Sequence, residues 1–300
     1  MNHQRRKING ALAAAALFAP WAEWSQAFPT HPLRMIIPFA PGGTTDVIGR
    51  LVAQHLSELL GQQVIADNRS CASGNIGTDL AAKSPPDGYT MVMSFDGTMT
   101  INPHTYRKLP FDPQRDLTPI VNVGQAALVL VTHPSVPAST IQEFTALAKA
   151  ATSPLYYSSA GMGSTGHVAG ELYASRAGIR MTHVPYKGGA AALQDLLAGQ
   201  IQMLVTALPT VEGLIANGKV RPLAVTSSQR LRTLPKVPAL GELYPGYEVA
   251  SWYGLLAPAS TPSAIIQRFT TDIHTVLARP DVRERLAVLG VEVLGGTVGQ

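Results

Sequence analysis

The chain reads as an α/β protein of two doubly wound lobes, and three observations lead there. Apolar runs of strand length alternate with stretches whose apolar residues recur at helical spacing, the pattern of parallel strands covered by helices. These units form two series, with apolar stretches near 127–132 and 247–256 between them. Three expected strands end in glycine-containing loops of little charge, at 40–46, 94–98 and 160–166. Ligands of open α/β sheets sit at the carboxyl ends of strands, so these loops are the candidate site.

The first strand lies in 33–39, and the loop Ala40-Pro41-Gly42-Gly43-Thr44-Thr45-Asp46 interrupts it. Val47, Ile48, Leu51, Val52, Leu56, Leu59 and Leu60 then mark one face of a helix that Gly61 stops. Thr44, Thr45 or Asp46 can cap this helix. Its first N–H groups, with the positive end of the helix dipole behind them, form a backbone site for an anion. A plain β–α turn, in which the glycines only permit a sharp corner, accounts for the same residues. Asp46 reads as a capping carboxylate in preference to a general base.

A second strand is expected over 63–67, a helix over 75–82 and a third strand over 89–94. Asp96, Gly97 and Thr98 follow that strand and precede a short helical piece. Strands are expected separately over 118–123 and 127–132. Ser139 and Gln142 form a capping box for the next helix. The second series places strands at 155–159, 180–184, 201–205 and 220–225, with helices at 167–177, from after the loop 185–189 to Ala198, and from Pro209. A connector rich in proline, 234–245, leads to a strand over 247–256. Thr261 is expected to cap a helix with Pro262 in its first turn, and Asp281 to start another that Gly290 ends.

Composition narrows the function. With 46% hydrophobic and 14% charged residues, the chain can bury a substantial core. Arg5-Arg6-Lys7, the apolar run 11–19 and Ser25-Gln26-Ala27 outline an export signal at 1–27, cut after Ala27. The arginine pair admits the twin-arginine route as well as the general one. Removing 1–27 leaves 20 basic against 18 acidic side chains, which is no signature of a nucleic-acid partner. Cys71 is the only cysteine, and the eight histidines show no metal-ligand spacing, so neither a metal nor another cofactor is expected.

Two motifs invite chemistry. Gly161-Met162-Gly163-Ser164-Thr165-Gly166 matches a dinucleotide fingerprint, but the next strand ends in Pro185-Tyr186-Lys187, without the acid that would hold a ribose. Ser164 beside His167 or His183 invites a nucleophile, but Met162 breaks the G-x-S-x-G elbow. Ser164 reads instead as a helix cap whose hydroxyl can also face a ligand. No pair of acids completes a catalytic constellation, so the chain is not expected to be an enzyme.

Several segments, taken in order, resemble the Bug receptors, the extracytoplasmic substrate-binding proteins of tripartite tricarboxylate transporters. They are 38–46, Asn75-Ile76-Gly77-Thr78 with Pro86-Asp87-Gly88-Tyr89-Thr90, Asn102-Pro103 with 109–113, 159–164 with His167 and Glu171, His183-Val184-Pro185-Tyr186-Lys187-Gly188, and Trp252-Tyr253-Gly254-Leu255-Leu256-Ala257-Pro258. The resemblance implies a type II periplasmic-binding fold, two lobes joined by crossing strands with the ligand cleft between them. Its lobes are 28–125 plus 248–300, and 126–247. It implies a small organic carboxylate as ligand, membrane transporter subunits as partners, a monomer, and a periplasmic address. A sensor accessory for a receptor kinase and a nucleotide-dependent oxidoreductase are the rival functions.

The expected ligand-binding residues are Ala40, Gly42, Gly43, Thr44, Thr45 and Asp46 of the first loop and Asp96 and Gly97 of the second. To these are added Ala160, Gly161, Gly163, Ser164, Thr165 and His167 of the third loop, and Thr206. Three departures from the family pattern are visible. The loop 68–74 reads Asn68-Arg69-Ser70-Cys71-Ala72-Ser73-Gly74 in place of a run of proline and glycines. Gln202 and Thr206 stand where two aspartates are usual, and Thr206 serves either the ligand or the cap of the following helix. The sequence stops at 300, where a final helix on the first lobe is usual.

Overall fold

The computed structural model describes residues 28–296, so the expected export signal at 1–27 and the last four residues lie outside the described part. Contacts separate Met1–Thr30 from His31–Gln300. Of the first unit only residues 28–30 are described, none of them in a helix or strand. The second unit carries the fold.

Its first half runs β1 (Leu33–Ile37), α1 (Thr44–Leu60), β2 (Val64–Asn68), α2 (Asn75–Ala82), β3 (Thr90–Phe95) and α3 (Asn102–Thr105). β1 pairs in parallel with both β2 and β3. The second half holds α4 (Ile141–Ala150), β5 (Leu155–Ser159), α5 (Thr165–Ala177), β6 (Met181–Pro185), α6 (Gly189–Leu197), β7 (Met203–Ala207), α7 (Glu212–Ala216) and β8 (Arg221–Val225). There β5 pairs in parallel with β6 and β7.

Two long strands join the halves. β4 (Leu117–Thr132) and β9 (Ala250–Pro258) run antiparallel to each other, and the strand order is β2-β1-β3-β9-β4-β7-β5-β6. A parallel block in each half is thus extended by antiparallel crossing strands, as the resemblance implied. β4 changes partners along its length. Residues 117–127 pair with β9, and 128–132 pair with β7 and β8. At the change, Thr226 Oγ1 takes the Leu128 N–H at 2.8 Å and donates to the Val249 carbonyl at 2.6 Å.

The two strands expected at 118–123 and 127–132 are thus one. Gly124 looks like a break in sequence, but it continues the strand because β10 (Val291–Gly296) lies against it. A Cβ at Gly124 would stand 2.3 Å from the Glu292 carbonyl oxygen. α8 (Leu240–Leu243), α9 (Ser263–Ala278) and α10 (Pro280–Val288) complete the chain.

Both faces of the second sheet are covered. Phe144, Tyr157, Tyr173 and Tyr247 pack on one side, and Leu196, Leu204, Leu208 and Val225 on the other. In the first half, Ile36, Val92, Phe111 and Leu256 form an equivalent layer. Burial of this kind contributes roughly 1.5–3 kcal/mol per large apolar side chain.

Three expected caps are corrected. α1 begins at Thr44, so Gly43 is its cap and the threonines lie inside its first turn. The box before α4 is Thr140 and Glu143, whose Oε2 accepts the Ser139 N–H at 2.6 Å. Glutamate reaches back as an anion, which glutamine at 142 cannot match. Thr261 Oγ1 donates to the Pro258 carbonyl at 2.7 Å, leaving Pro262 as an uncapped start to α9.

Candidate functional site

The first loop leaves β1 and enters α1 without a side-chain cap. The first turn of any helix has N–H groups with no partner in the helix. Here Gly43, Thr44 and Thr45 present that turn to a small cavity. Asp46 is not part of its lining. Its carboxylate accepts the Gly42 N–H at 2.9 Å, and it binds Arg50 Nε at 2.9 Å and Asn68 Nδ2 at 2.8 Å. Gly42 and Asp46, both among the expected ligand-binding residues, satisfy each other here and brace the loop.

The third loop leaves β5 and enters α5. Ser164 caps the helix, its Oγ accepting the His167 N–H at 3.3 Å as expected. The same hydroxyl donates to Ser159 Oγ at 3.0 Å, and Ser159 Oγ lies 2.7 Å from His183 Nε2. His183 stacks on His167, with ring centroids 4.1 Å apart. Burial lowers both imidazoles, and His183, also beside His167, falls to about 4. Both rings are therefore neutral near pH 7. His167 Nδ1 accepts the Gly163 N–H at 3.2 Å. His167, Gly161 and Gly163 thus shape the loop from behind and do not line the cavity.

Close packing explains the glycine motif. A Cβ at Gly166 would stand 2.4 Å from the Val205 carbonyl oxygen. α5 can approach β7 only because that position has no side chain. The dinucleotide pattern is matched for a packing reason of its own.

The two loops meet across a cavity of about 50 Å³. Its wall holds hydroxyls from Thr44, Thr45, Ser164, Thr165, Thr206, Thr210 and Ser251 and rings from Phe39, Phe95 and Tyr253, with no Lys, Arg, Asp or Glu among the lining residues. Ala160 also lines it, whereas Ala40 and Gly97 do not. A larger depression of about 750 Å³ lies beside α3 and 106–116, but it contains none of the three loops' lining residues. Among the described residues no cluster could hold a metal ion.

Thr206 is placed inside β7, and Ala207, not Thr206, precedes the next helical turn. The capping alternative for Thr206 is therefore set aside, and its side chain belongs to the cavity wall. Gln202 lies elsewhere, its Oε1 accepting the Tyr156 N–H at 2.8 Å.

Hydrogen bonds span the cleft. Thr44 Oγ1 and Thr210 Oγ1 are 3.0 Å apart. Ser73, in the divergent 68–74 loop, donates to the Met162 carbonyl at 2.7 Å. Asp96 receives Thr165 Oγ1 on one oxygen and Ser251 Oγ on the other, each at 2.5 Å. It is 6% exposed, and burial pushes its carboxyl up to about 6 against the pull of those hydrogen bonds.

Ser251, Thr210, Phe39 and Phe95 were not among the expected site residues. Phe39 and Tyr253 lay within the first and last family-like segments, which were the signals available for them. Ser251, Thr210 and Phe95 carry no local signature.

Comparison with known proteins fits this geometry. Residues 48–300 match the model of the family described as "Tripartite tricarboxylate transporter family receptor". The chain belongs to that family. It is 35% identical over 291 residues to BugT of Bordetella pertussis, covering 96% of this chain and 89% of BugT. An R. palustris protein solved with adipate superposes with a TM-score of 0.88 at 36% identity, covering 90% of this chain and 91% of that one. MatC of Rhodopseudomonas palustris, solved with bound malate, gives a TM-score of 0.84 at 30% identity, covering 89% and 91%. The periplasmic-binding fold expected from the sequence is thereby established for this receptor.

Proposed function

We propose that this receptor captures a small carboxylate in the periplasm and delivers it to the membrane subunits of a tripartite transporter. One observation carries the reading. The N-termini of α1 and α5 converge on an uncharged cavity walled by hydroxyls. Backbone N–H groups at two helix starts hold an anion without a cationic side chain. The adipate and malate bound by similar proteins support a carboxylate as cargo.

The cavity has room for one or two waters, at roughly 30 Å³ each, so a four- to six-carbon acid requires the cleft to widen. The lobes 28–125 plus 248–300 and 126–247 would move about the point where β4 changes partners. Such a receptor works as a monomer and catalyses nothing. The test is a thermal-shift screen over mono- and dicarboxylates, amino acids and amides, followed by calorimetry. An acid bound at micromolar affinity raises the melting temperature, and the rise grows with the logarithm of its excess over the dissociation constant. No shift with any acid would overturn the reading.

A further inference from the structure

We infer that Asp96 sets the specificity of this cleft, by turning the hydroxyls of Thr165 and Ser251 into pure acceptors that select a ligand bearing a neutral hydrogen-bond donor. The inference rests on the carboxylate-receptor reading and names the ligand class within it.

A hydroxyl has one proton to donate and lone pairs to accept with. Thr165 and Ser251 both line the cavity. Each gives its proton to Asp96, at 2.5 Å. Their oxygens lie 3.3 Å apart, so two acceptors are grouped on one wall. An ionised carboxylate only accepts, so neither hydroxyl can turn its proton toward the cleft while Asp96 holds both. The charge of Asp96 is held by these two hydroxyl donors, and neither is a cation.

The cleft is therefore polarised. The helix starts at Gly43 and Ser164 offer donors, and the Asp96 side offers acceptors backed by a buried negative charge. A carboxylate suits the first pole and is repelled by the second. A hydroxyl on the ligand carbon suits the second pole. A ligand with only a methylene there offers no donor to either acceptor, whereas a hydroxyl gives its one proton to one of them. Hydroxy acids are the class this arrangement selects. An ammonium would meet a wall with no other anion and with Thr206 where an acid would be needed to balance it.

The test uses pairs of acids that differ by one hydroxyl: both enantiomers of malate against succinate, and of lactate against propionate. Calorimetry of the wild-type protein should show at least a tenfold preference for one hydroxy acid over its partner. Asp96→Asn offers an amide N–H to one of the two hydroxyls, so that hydroxyl must point its proton elsewhere. The preference should fall to within about threefold of unity, with the weaker partner gaining affinity. Ser251→Ala removes one acceptor and should reduce the same ratio; it also takes one donor from the Asp96 carboxylate, so its melting temperature falls as well, and the ratio is the readout that separates specificity from stability. A merely structural role would lower both affinities together and leave the ratio. The inference is overturned if wild type binds the deoxy acid as well as the hydroxy acid, if both variants keep the preference, or if aspartate or alanine binds more tightly than malate or lactate. If wild type binds none of these acids or any other carboxylate, the receptor reading itself fails first.

Discussion

Gly43 starts α1 with no side-chain cap, and an acid three residues on reaches back to Gly42; Ser164 starts α5 with its own hydroxyl on the helix. The first loop is braced by charge, with Asp46 held between Arg50 and Asn68. The third is braced by neutral groups, a chain of Ser164, Ser159 and His183. Both leave N–H groups of the first turn for the cavity. The difference shows that a helix start can be made rigid with or without an internal anion. Where an anion is used, as in the first loop, it is turned away from the cleft and neutralised by arginine, so it does not compete with an incoming carboxylate.

The largest expected effect tests that first loop. Gly43 has φ −80° and ψ 166°, a conformation valine adopts readily, and a Cβ there meets only the Ala40 carbonyl at 3.7 Å. Gly43→Val should therefore fold normally. Its side chain stands in the path of the ligand, and affinity for the acid identified in the screen should fall about a hundredfold, equal to ~2.7 kcal/mol. Calorimetry showing unchanged affinity would mean that the α1 start does not hold the anion.

Next in size is Thr206→Asp, which puts an anion on the wall between the two loops. At ~5 Å and an effective dielectric of ~20 the repulsion of a carboxylate is about 3 kcal/mol before screening by water. Affinity for the acid should drop at least tenfold, or ~1.4 kcal/mol. An unchanged affinity would remove Thr206 from the set of residues that decide the charge of the pocket.

Smaller effects separate the two ways of bracing. Asp46→Asn leaves Arg50 without its carboxylate and should lower stability by about 1 kcal/mol, an effect that shrinks in high salt because Arg50 is half exposed. Ser164→Ala removes a neutral cap and should also lower stability by about 1 kcal/mol, but independently of salt. Denaturant titrations at low and high ionic strength distinguish them, and equal salt dependence would erase the contrast.

The smallest effect is in the pH dependence. His183 stays neutral in the fold down to about 4, while an unfolded histidine takes up a proton near 6.5. The stability this gives is intact above pH 6.5 and is lost as the pH falls from there toward 4. Asp96 behaves oppositely. Its folded value of about 6 lies above the ordinary 3.8, so its burial favours the fold at low pH and loses that advantage as the pH rises from 3.8 through 6. In the wild type the two offset each other between pH 4 and 6. Melting curves of His183→Gln should fall less than wild type on going from pH 7 to pH 5. Those of Asp96→Asn should fall more.

Much of the framework is local and was legible. Gly61 in the left-handed region ends α1, α2 spans 75–82, and Ser164 caps α5, because each depends on residues within one turn of the chain. The first and third loops were found by the same reasoning, since glycine beside a strand end and a hydroxyl at a helix start are short-range signals. The cap at Ser139 was misread because the neighbouring Thr140 offers comparable chemistry and the reach of Glu143 decides between them, and Thr261 was misread because its hydroxyl turns to the Pro258 carbonyl instead of to the helix.

What the sequence determined alone was the succession of elements, two helix starts able to take an anion, and a family pattern in their order. The tertiary structure decided which side chains share the cleft. Asp96, Thr165 and Ser251 are separated by 69 and 155 positions from Asp96 to its two partners, and no periodicity links them. β4 runs on through Gly124 because β10, more than 160 residues later, closes against it. Propensity and capping act over a few residues, whereas a hydroxyl's donor direction depends on whatever the fold brings within 3 Å of it. That contact is made only when β3, α5 and β9 have packed together.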